Sequence, residues 1–426
     1  MLKHALTGAL VASGALAVAL PSAHAQEAVE GKGVTVGEGL VVHPNVGAEF
    51  GVIDNVFYEQ DTVVTSSLFR LTANFALANE KVTPDEAVPG EEAGNEAAPP
   101  TYDFRASGGL RYEEFLYYDN ASTSGQRNLA ADLQGHLQVF PAGTWTFLAD
   151  DRLRRDVRPR NFEDASSTSR IDNLLDLALR YQPGGRTISG TLKYTNSLGV
   201  YEDTNADNRM NHTVALRGDW QWLPYTRYFA EASLGFFGGV GDSGGLPKAS
   251  SMPIRGLVGV ATALTEPLTL KAHVGWGYSG YSAGEGYNTP LVGVELGYAY
   301  APAGRVVLEY NWDSEDSINA NYYRDHKFTA KVDQQLIEKL LVSAGVDVRL
   351  RGYRGIPTTL SMTPSRDDLL FGINARGQYV LTDRYYLTAT YQLMVDQTDY
   401  VYNAMGPIDD PSYTRHEFMA GARAAF

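Results

Sequence analysis

The sequence predicts an all-β protein: a transmembrane, antiparallel, up-and-down β-barrel of about 18 strands, with 16 as the nearest alternative. Three observations carry this reading. Segments of about ten residues, the length a tilted strand needs to cross a bilayer, alternate apolar and polar side chains along most of the chain. Tight turns rich in Pro and Gly alternate with longer polar loops. The last segment alternates through Phe418, Ala420, Ala422 and Ala424 and ends on Phe426.

The N-terminus comes first. Lys3 and His4 precede an apolar run from Ala5 to Leu20, which Pro21 breaks before Ala23-His24-Ala25. A basic end, an apolar middle and an A-x-A site describe a secretory signal peptide over 1–25, cut before Gln26. The run falls short of the roughly 20 residues of a membrane-spanning helix. A short periplasmic segment, 26–41, leads into a single barrel domain, 42–426.

Composition excludes several classes. Of the 426 residues, 44% are hydrophobic and 20% charged, and the mean hydropathy of −0.24 leaves no room for a string of apolar helices. Cysteine is absent, which removes disulfides, thiol nucleophiles and Cys-ligated metals. The formal net charge is −15 and no basic stripe offsets it, so nucleic acid is not a partner.

The turns recur as an apolar or aromatic residue, a tight turn and another apolar run. Copies stand at Phe140-Pro141-Ala142-Gly143-Thr144-Trp145, Tyr181-Gln182-Pro183-Gly184-Gly185 and Trp222-Leu223-Pro224-Tyr225. Further copies are Leu264-Thr265-Glu266-Pro267-Leu268, Tyr300-Ala301-Pro302-Ala303-Gly304 and Leu381-Thr382-Asp383-Arg384-Tyr385. Pro and Gly supply the turn geometry, and the aromatics suit a membrane–water interface. Longer loops fall at 119–127, 202–210, 239–251 and 314–322. Short turns facing the periplasm and long loops facing outward are the pattern of outer-membrane barrels.

Between these breaks the period is two. Leu268, Leu270, Ala272, Val274, Trp276 and Tyr278 share a face opposite Thr269, Lys271, His273, Gly275 and Gly277. Val306, Leu308, Tyr310 and Trp312 oppose Val307, Glu309, Asn311 and Asp313, and 342–351 behaves likewise. A sandwich also alternates, but strand length and aromatics at the ends of the apolar face, with 26 tyrosines to supply them, favour the barrel. Strands are expected near 42–54, 65–77, 102–115, 127–140, 144–157, 170–182, 186–199, 211–223 and 227–238. The remainder fall near 252–265, 267–280, 289–301, 304–314, 325–336, 340–353, 367–381, 385–398 and 413–426.

A barrel this wide encloses water, so its polar parity is the functional surface. One strand carries Asp150, Arg152, Arg154 and Asp156, continuing to Arg158 and Arg160. Other candidates for the lumen are Arg217, Lys271, Glu309, Lys331, Asp333, Asp347, Arg349, Arg351 and Arg376, with Glu49, Glu113, Arg111, Arg255 and Lys327 on the same parity. Arginine rows would select anions or anionic sugars; alternatively they pair with lumen acids. Asp151 and Arg155 fall on the lipid parity, as residues beyond the bilayer edge would.

The segment 79–101 is acidic and Pro-rich, with Glu80, Asp85, Glu86, Pro84, Pro99 and Pro100. It reads as a docking arm for a periplasmic partner or as a tolerated insertion. Gly280-Tyr281-Ser282-Ala283-Gly284 matches a nucleophile-elbow pattern, which requires a strand–turn–helix setting that is not expected here. Asp203, Asn205 and Asp207 lack the Gly and Glu of a calcium loop. No enzyme activity, metal or cofactor is expected.

His43-Pro44-Asn45-Val46-Gly47-Ala48-Glu49-Phe50, continuing through Asp54-Asn55-Val56-Phe57-Tyr58, resembles the opening strand of the type 2 β-barrel porin-like group of Gram-negative envelope proteins. Some relatives in that group resemble 18-stranded polysaccharide-export barrels that work with periplasmic export factors. The resemblance implies an outer-membrane barrel surrounded by lipid. The C-terminal strand ending at Phe426 resembles the signal read by the barrel assembly machinery. Three functions follow: an outer-membrane conduit for polysaccharide export, a general diffusion porin for small solutes, and a closed structural or adhesive barrel. Export is preferred, with 79–101 meeting the periplasmic partner.

Overall fold

The computed structural model describes residues 33–35, 40–61, 63–79, 101–116, 128–156, 169–184, 187–202, 208–240, 249–317, 320–356, 364–401 and 410–426. The signal-peptide segment, most of 26–41, the segment 80–100 and Arg158 lie outside these residues, as do Asp203, Asn205 and Asp207.

Alternating side chains and turn-forming breaks leave the chain one way to satisfy its backbone, a continuous antiparallel ladder. The first strand, β1 (Val34–Thr35), is a two-residue bridge against Val41 and Val42. The staves are β2 (Leu40–Ile53), β3 (Ser66–Asn79), β4 (Tyr102–Phe115), β5 (Asn128–Val139), β6 (Trp145–Asp156) and β7 (Arg170–Tyr181). They continue as β8 (Ile188–Tyr201), β9 (Arg209–Leu223), β10 (Thr226–Gly239), β11 (Ser251–Ala263), β12 (Leu268–Tyr281) and β13 (Tyr287–Ala301). The last are β14 (Gly304–Asp316), β15 (Tyr322–Ile337), β16 (Leu340–Arg354), β17 (Ser365–Val380), β18 (Tyr385–Thr398) and β19 (Tyr413–Ala425). Each stave pairs antiparallel with its neighbours in sequence, and the count is 18.

The ring closes between the last stave and the first. β19 pairs with β2 from Glu417↔Ile53 to Ala425↔Asn45, and Phe426 N donates to Pro44 O at 3.0 Å. Two glycines make this seam: a Cβ on Gly51 would fall 1.8 Å from Phe418 O, and one on Gly421 would fall 2.1 Å from Ala48 O. Closure removes the unpaired edge that a lipid environment could not satisfy.

The outer face is apolar and uncovered. Val258, Val274, Leu216 and Phe328 are each half exposed or more. Leaving side chains of this kind in water would cost about 1.5–3 kcal/mol apiece, whereas hydrocarbon accepts them. Aromatics ring both ends of this band. Trp145 and Tyr181 meet as tilted rings at 4.7 Å and Trp220 and Trp222 at 4.5 Å near the short-turn end, and Trp276, Tyr278, Tyr310 and Trp312 stand toward the loop end. A closed barrel with an apolar belt between aromatic girdles is an outer-membrane protein.

The six turn repeats sit at one end, between β5 and β6, β7 and β8, β9 and β10, β11 and β12, β13 and β14, and β17 and β18; five contain Pro or Gly, and 381–384 contains neither. A seventh turn, 338–339, has neither Pro nor Gly; Gln335 Nε2 donates to Glu338 O at 2.9 Å across it. The flanks of 80–101, Asn79 and Tyr102, stand at this same end, so an insertion of that length interrupts a row of otherwise short turns.

Asp151 corrects one expectation. It lies within β6 between the outward-facing Ala149 and Leu153, not beyond the wall, and accepts from Asn173 Nδ2 at 2.7 Å. Arg155 is at the end of β6, as expected of a rim residue, and binds Glu202 at 2.6 Å. That bond holds the exposed Glu202 carboxyl below its ordinary range.

Candidate functional site

Strand parity builds the lumen. In β6, Trp145, Phe147 and Leu153 face lipid, so Thr146, Asp150, Arg152, Arg154 and Asp156 face inward. The same alternation turns Arg217, Lys271, Glu309, Lys331, Asp333, Asp347, Arg349, Arg351 and Arg376 inward, because Leu216, Val274, Leu308, Phe328, Val346, Leu350 and Tyr379 on their strands face out.

The structure does not gather these residues at one point. It sorts them by height. Near the loop end charged side chains are packed away from water: Glu113, Arg349, Arg351 and Asp396 are each 1% exposed. Toward the short-turn end some stand open, the side chains of Arg105 and Asp150 being 63% and 53% exposed, while Asp103 and Arg423 are 7% and 11% exposed. The most exposed lumen charges thus lie between the short-turn end and mid-height, and a collar of buried ion pairs lies toward the loop end.

The collar has two centres. In the first, Arg70 of β3 donates to Glu113 at 2.8 Å, Glu417 at 2.7 Å and Glu49 at 3.2 Å. Each acid keeps a second arginine: Arg111 at 3.4 Å on Glu113, Arg415 at 3.2 Å on Glu417 and Arg423 at 2.7 Å on Glu49. Arg111 also reaches Asp156 at 3.4 Å, which Arg154 binds from the same strand. In the second, Arg351 grips Asp325 with two bonds of 2.7 Å while its guanidinium lies 3.8 Å over Tyr323. Arg366 spans Asp368 at 2.6 Å and Asp396 at 3.0 Å. Asp347 joins Arg349 at 2.7 Å to Lys327 at 3.7 Å.

Other predicted residues stand apart from the collar. Arg217 binds Asp219 at 3.0 Å and Glu231 at 3.5 Å, with its guanidinium 4.1 Å over Phe229. Asp150 meets His136 at 2.6 Å, and Arg152 reaches Gln134 at 3.4 Å. Arg376 donates to Gln378 at 3.4 Å, and Glu309 accepts from Asn311. Lys271 is half-buried, whereas Lys331 and Asp333 are exposed to the lumen.

One signal in the sequence finds pairs that were not singled out from it, among them Arg366–Asp368 and Arg415–Glu417. Residues two apart on a strand share a face, and an arginine is long enough to bridge them. The Arg-x-acid spacing recurs as Arg111–Glu113, Arg154–Asp156, Arg170–Asp172, Arg217–Asp219, Arg366–Asp368 and Arg415–Glu417, every one an ion pair. Arg70 does not follow this spacing, drawing its acids from three other staves, and Arg351–Asp325 and Arg423–Glu49 likewise join different staves.

Most of 239–251 falls outside the described residues. Among the described residues, 54–60, between β2 and β3, folds inward over the mouth. Val56 packs on Ile53, Leu68, Phe115 and Met419, and Tyr58 on Leu370, Met394 and Tyr413. Asn55 adopts φ 50° and holds the turn through Glu59 N at 2.8 Å and Thr414 O at 2.9 Å. Ala320, Ile356 and Tyr400 close over Tyr323 and Tyr353 beside it. The apolar Val56-Phe57-Tyr58 within a loop is the mark of this burial in the sequence.

No protein-family model and no curated protein sequence matches the chain. Among solved structures it is similar to the outer membrane protein opdK of Pseudomonas aeruginosa, at 7% identity over 90% of this chain and 99% of that one, with a TM-score of 0.45. OccAB3 of Acinetobacter baumannii matches at 9% identity over 90% and 99%, TM-score 0.46. The siderophore receptor PirA of Pseudomonas aeruginosa matches at 9% over 90% and 80%, TM-score 0.42. Likenesses at these scores assign neither family nor cargo.

Proposed function

We propose that this outer-membrane channel admits small polar solutes by diffusion, selecting more by size than by charge. The observation that supports this is the gradient within the lumen: the most exposed charges between the periplasmic end and mid-height, then a collar whose arginines are matched by carboxylates, then an inward-folded 54–60 loop. Paired charges cancel at a distance, so the narrow zone offers a solute hydrogen bonds without a strong net field. Transport of this kind needs no catalytic group, and none is proposed. Refolded protein in liposomes tests it by osmotic swelling with sugars of graded length. Mono- and disaccharides should enter and longer oligosaccharides should not; absence of swelling with every sugar would count against a diffusion channel.

A second reading, export of a polysaccharide with a periplasmic partner, is favoured by one feature: the acidic connection 80–101 arises among the short turns. Deleting 80–100 in the native cell should abolish surface polysaccharide under that reading and leave it unchanged under the first. The strand ending at Phe426 remains the proposed contact with the assembly machinery.

A further inference from the structure

The outer wall carries a polar site of its own. Across β15 to β18 one lipid-facing row runs Phe328, Val348, Phe371 and Val395. One step nearer the loop end the row is His326, Leu350, Leu369 and Gln397, and the next contains Arg324, Gly352 and Asp367. Within two steps the wall passes from wholly apolar to charged, which places the boundary between acyl chains and headgroups at the middle row.

A cleft of about 790 Å³ opens at this boundary, reaching Gln60 and Asp399 on its loop side. That volume lies within the roughly 300–1,000 Å³ of small-ligand sites. Gly352 makes the room, since a Cβ there would stand 2.8 Å from Asp367 Oδ1 and 3.2 Å from Arg354 Nη1. Arg354 is engaged, donating to Asp367 at 2.9 Å and to Tyr353 O at 2.7 Å. Arg324 differs: its Nε is shielded from solvent and has no hydrogen-bond partner among the described residues.

A half-buried guanidinium at headgroup height suits a phosphate; its Nε has no open surface, so the side chain must turn for the phosphate to take two of its N–H groups at once. Asp367, Gln397 and Asp399 offer acceptors for sugar hydroxyls in the same cleft. Leu350 and Leu369 continue into the apolar wall beneath and would carry an acyl chain.

We propose that this cleft binds the phosphorylated saccharide headgroup of an outer-leaflet lipid, with Arg324 on the phosphate. The site lies outside the lumen and does not depend on what the channel carries. The test is native mass spectrometry of the full chain refolded in detergent, titrated with a bisphosphorylated, acylated glucosamine disaccharide, with its dephosphorylated counterpart and with inorganic phosphate. The wild type should bind one phosphorylated lipid, and Arg324→Gln should weaken it about tenfold, the loss of one charge-assisted contact. Removing the phosphate should weaken wild-type binding similarly and cost Arg324→Gln little more. Gly352→Leu, which fills the floor, should lose binding with the barrel still folded by heat-modifiability. Undiminished binding by either folded variant, or no binding by the wild type, would overturn the proposal. Competition by millimolar inorganic phosphate would also overturn it, by showing a free-phosphate site.

Discussion

Replacing Arg70 with Met tests whether the collar is held by its ion pairs. The arginine is 11% exposed at its side chain and contacts three carboxylates that are 1–7% exposed. Removing one partner of a buried pair costs about 3–5 kcal/mol, because the remaining charge stays desolvated. Here Glu49, Glu113 and Glu417 each keep another arginine, so the penalty should sit near the low end, about 3 kcal/mol. Arg70→Lys should be intermediate, since a point charge cannot reach three acids as a fork does. Adding Glu113→Gln to Arg70→Met should restore about 1 kcal/mol by removing one repelling carboxylate. The sign with pH follows. Protonating the acids removes the repulsion that Arg70 offsets. The gap between variant and wild type should therefore close on acidification. Equilibrium unfolding in detergent, followed by tryptophan fluorescence, measures all of this. A variant within 0.5 kcal/mol of wild type (about the scatter of surface substitutions), or a gap that widens in acid, would refute the reasoning.

Other outcomes follow from the same geometry. Val274→Arg, a charge placed in the apolar belt, should destabilise by about 2–4 kcal/mol if it lies at mid-membrane depth. Lys331→Glu, exposed to the lumen, should leave stability unchanged and shift ion selectivity toward cations, read as the reversal potential in a salt gradient. Gly51→Val should prevent the β19–β2 seam from closing, and the heat-modifiable species should disappear from gels. Tyr58→Ala should widen the outer mouth and raise conductance, and an unchanged conductance would remove 54–60 from the constriction.

Much of this was legible in the sequence because a barrel repeats one rule. Side chains alternate at every stave, so a single apolar face such as Leu268 to Tyr278 gives both the strand and its orientation. The turn at 338–339 lacks Pro and Gly, and only the reversal between the strands on either side marks it. Contacts between distant staves were not legible. Arg70 meets Glu417 across the closing seam, and no local pattern encodes which residues a closed ring brings together. Asp151 was misplaced for a related reason: parity says which face a side chain takes, but its height depends on register and tilt. The outer-wall cleft depends on three strands presenting Arg324, Gly352 and Asp367 in one row, which is register again.

Single-channel conductance of the refolded protein in a planar bilayer shows whether a water-filled passage runs through the barrel. A steady conductance, without any partner, that falls when large sugars are added to the bath is the result predicted. A silent bilayer, or rare brief openings only, would contradict it and mark the collar as a closed gate.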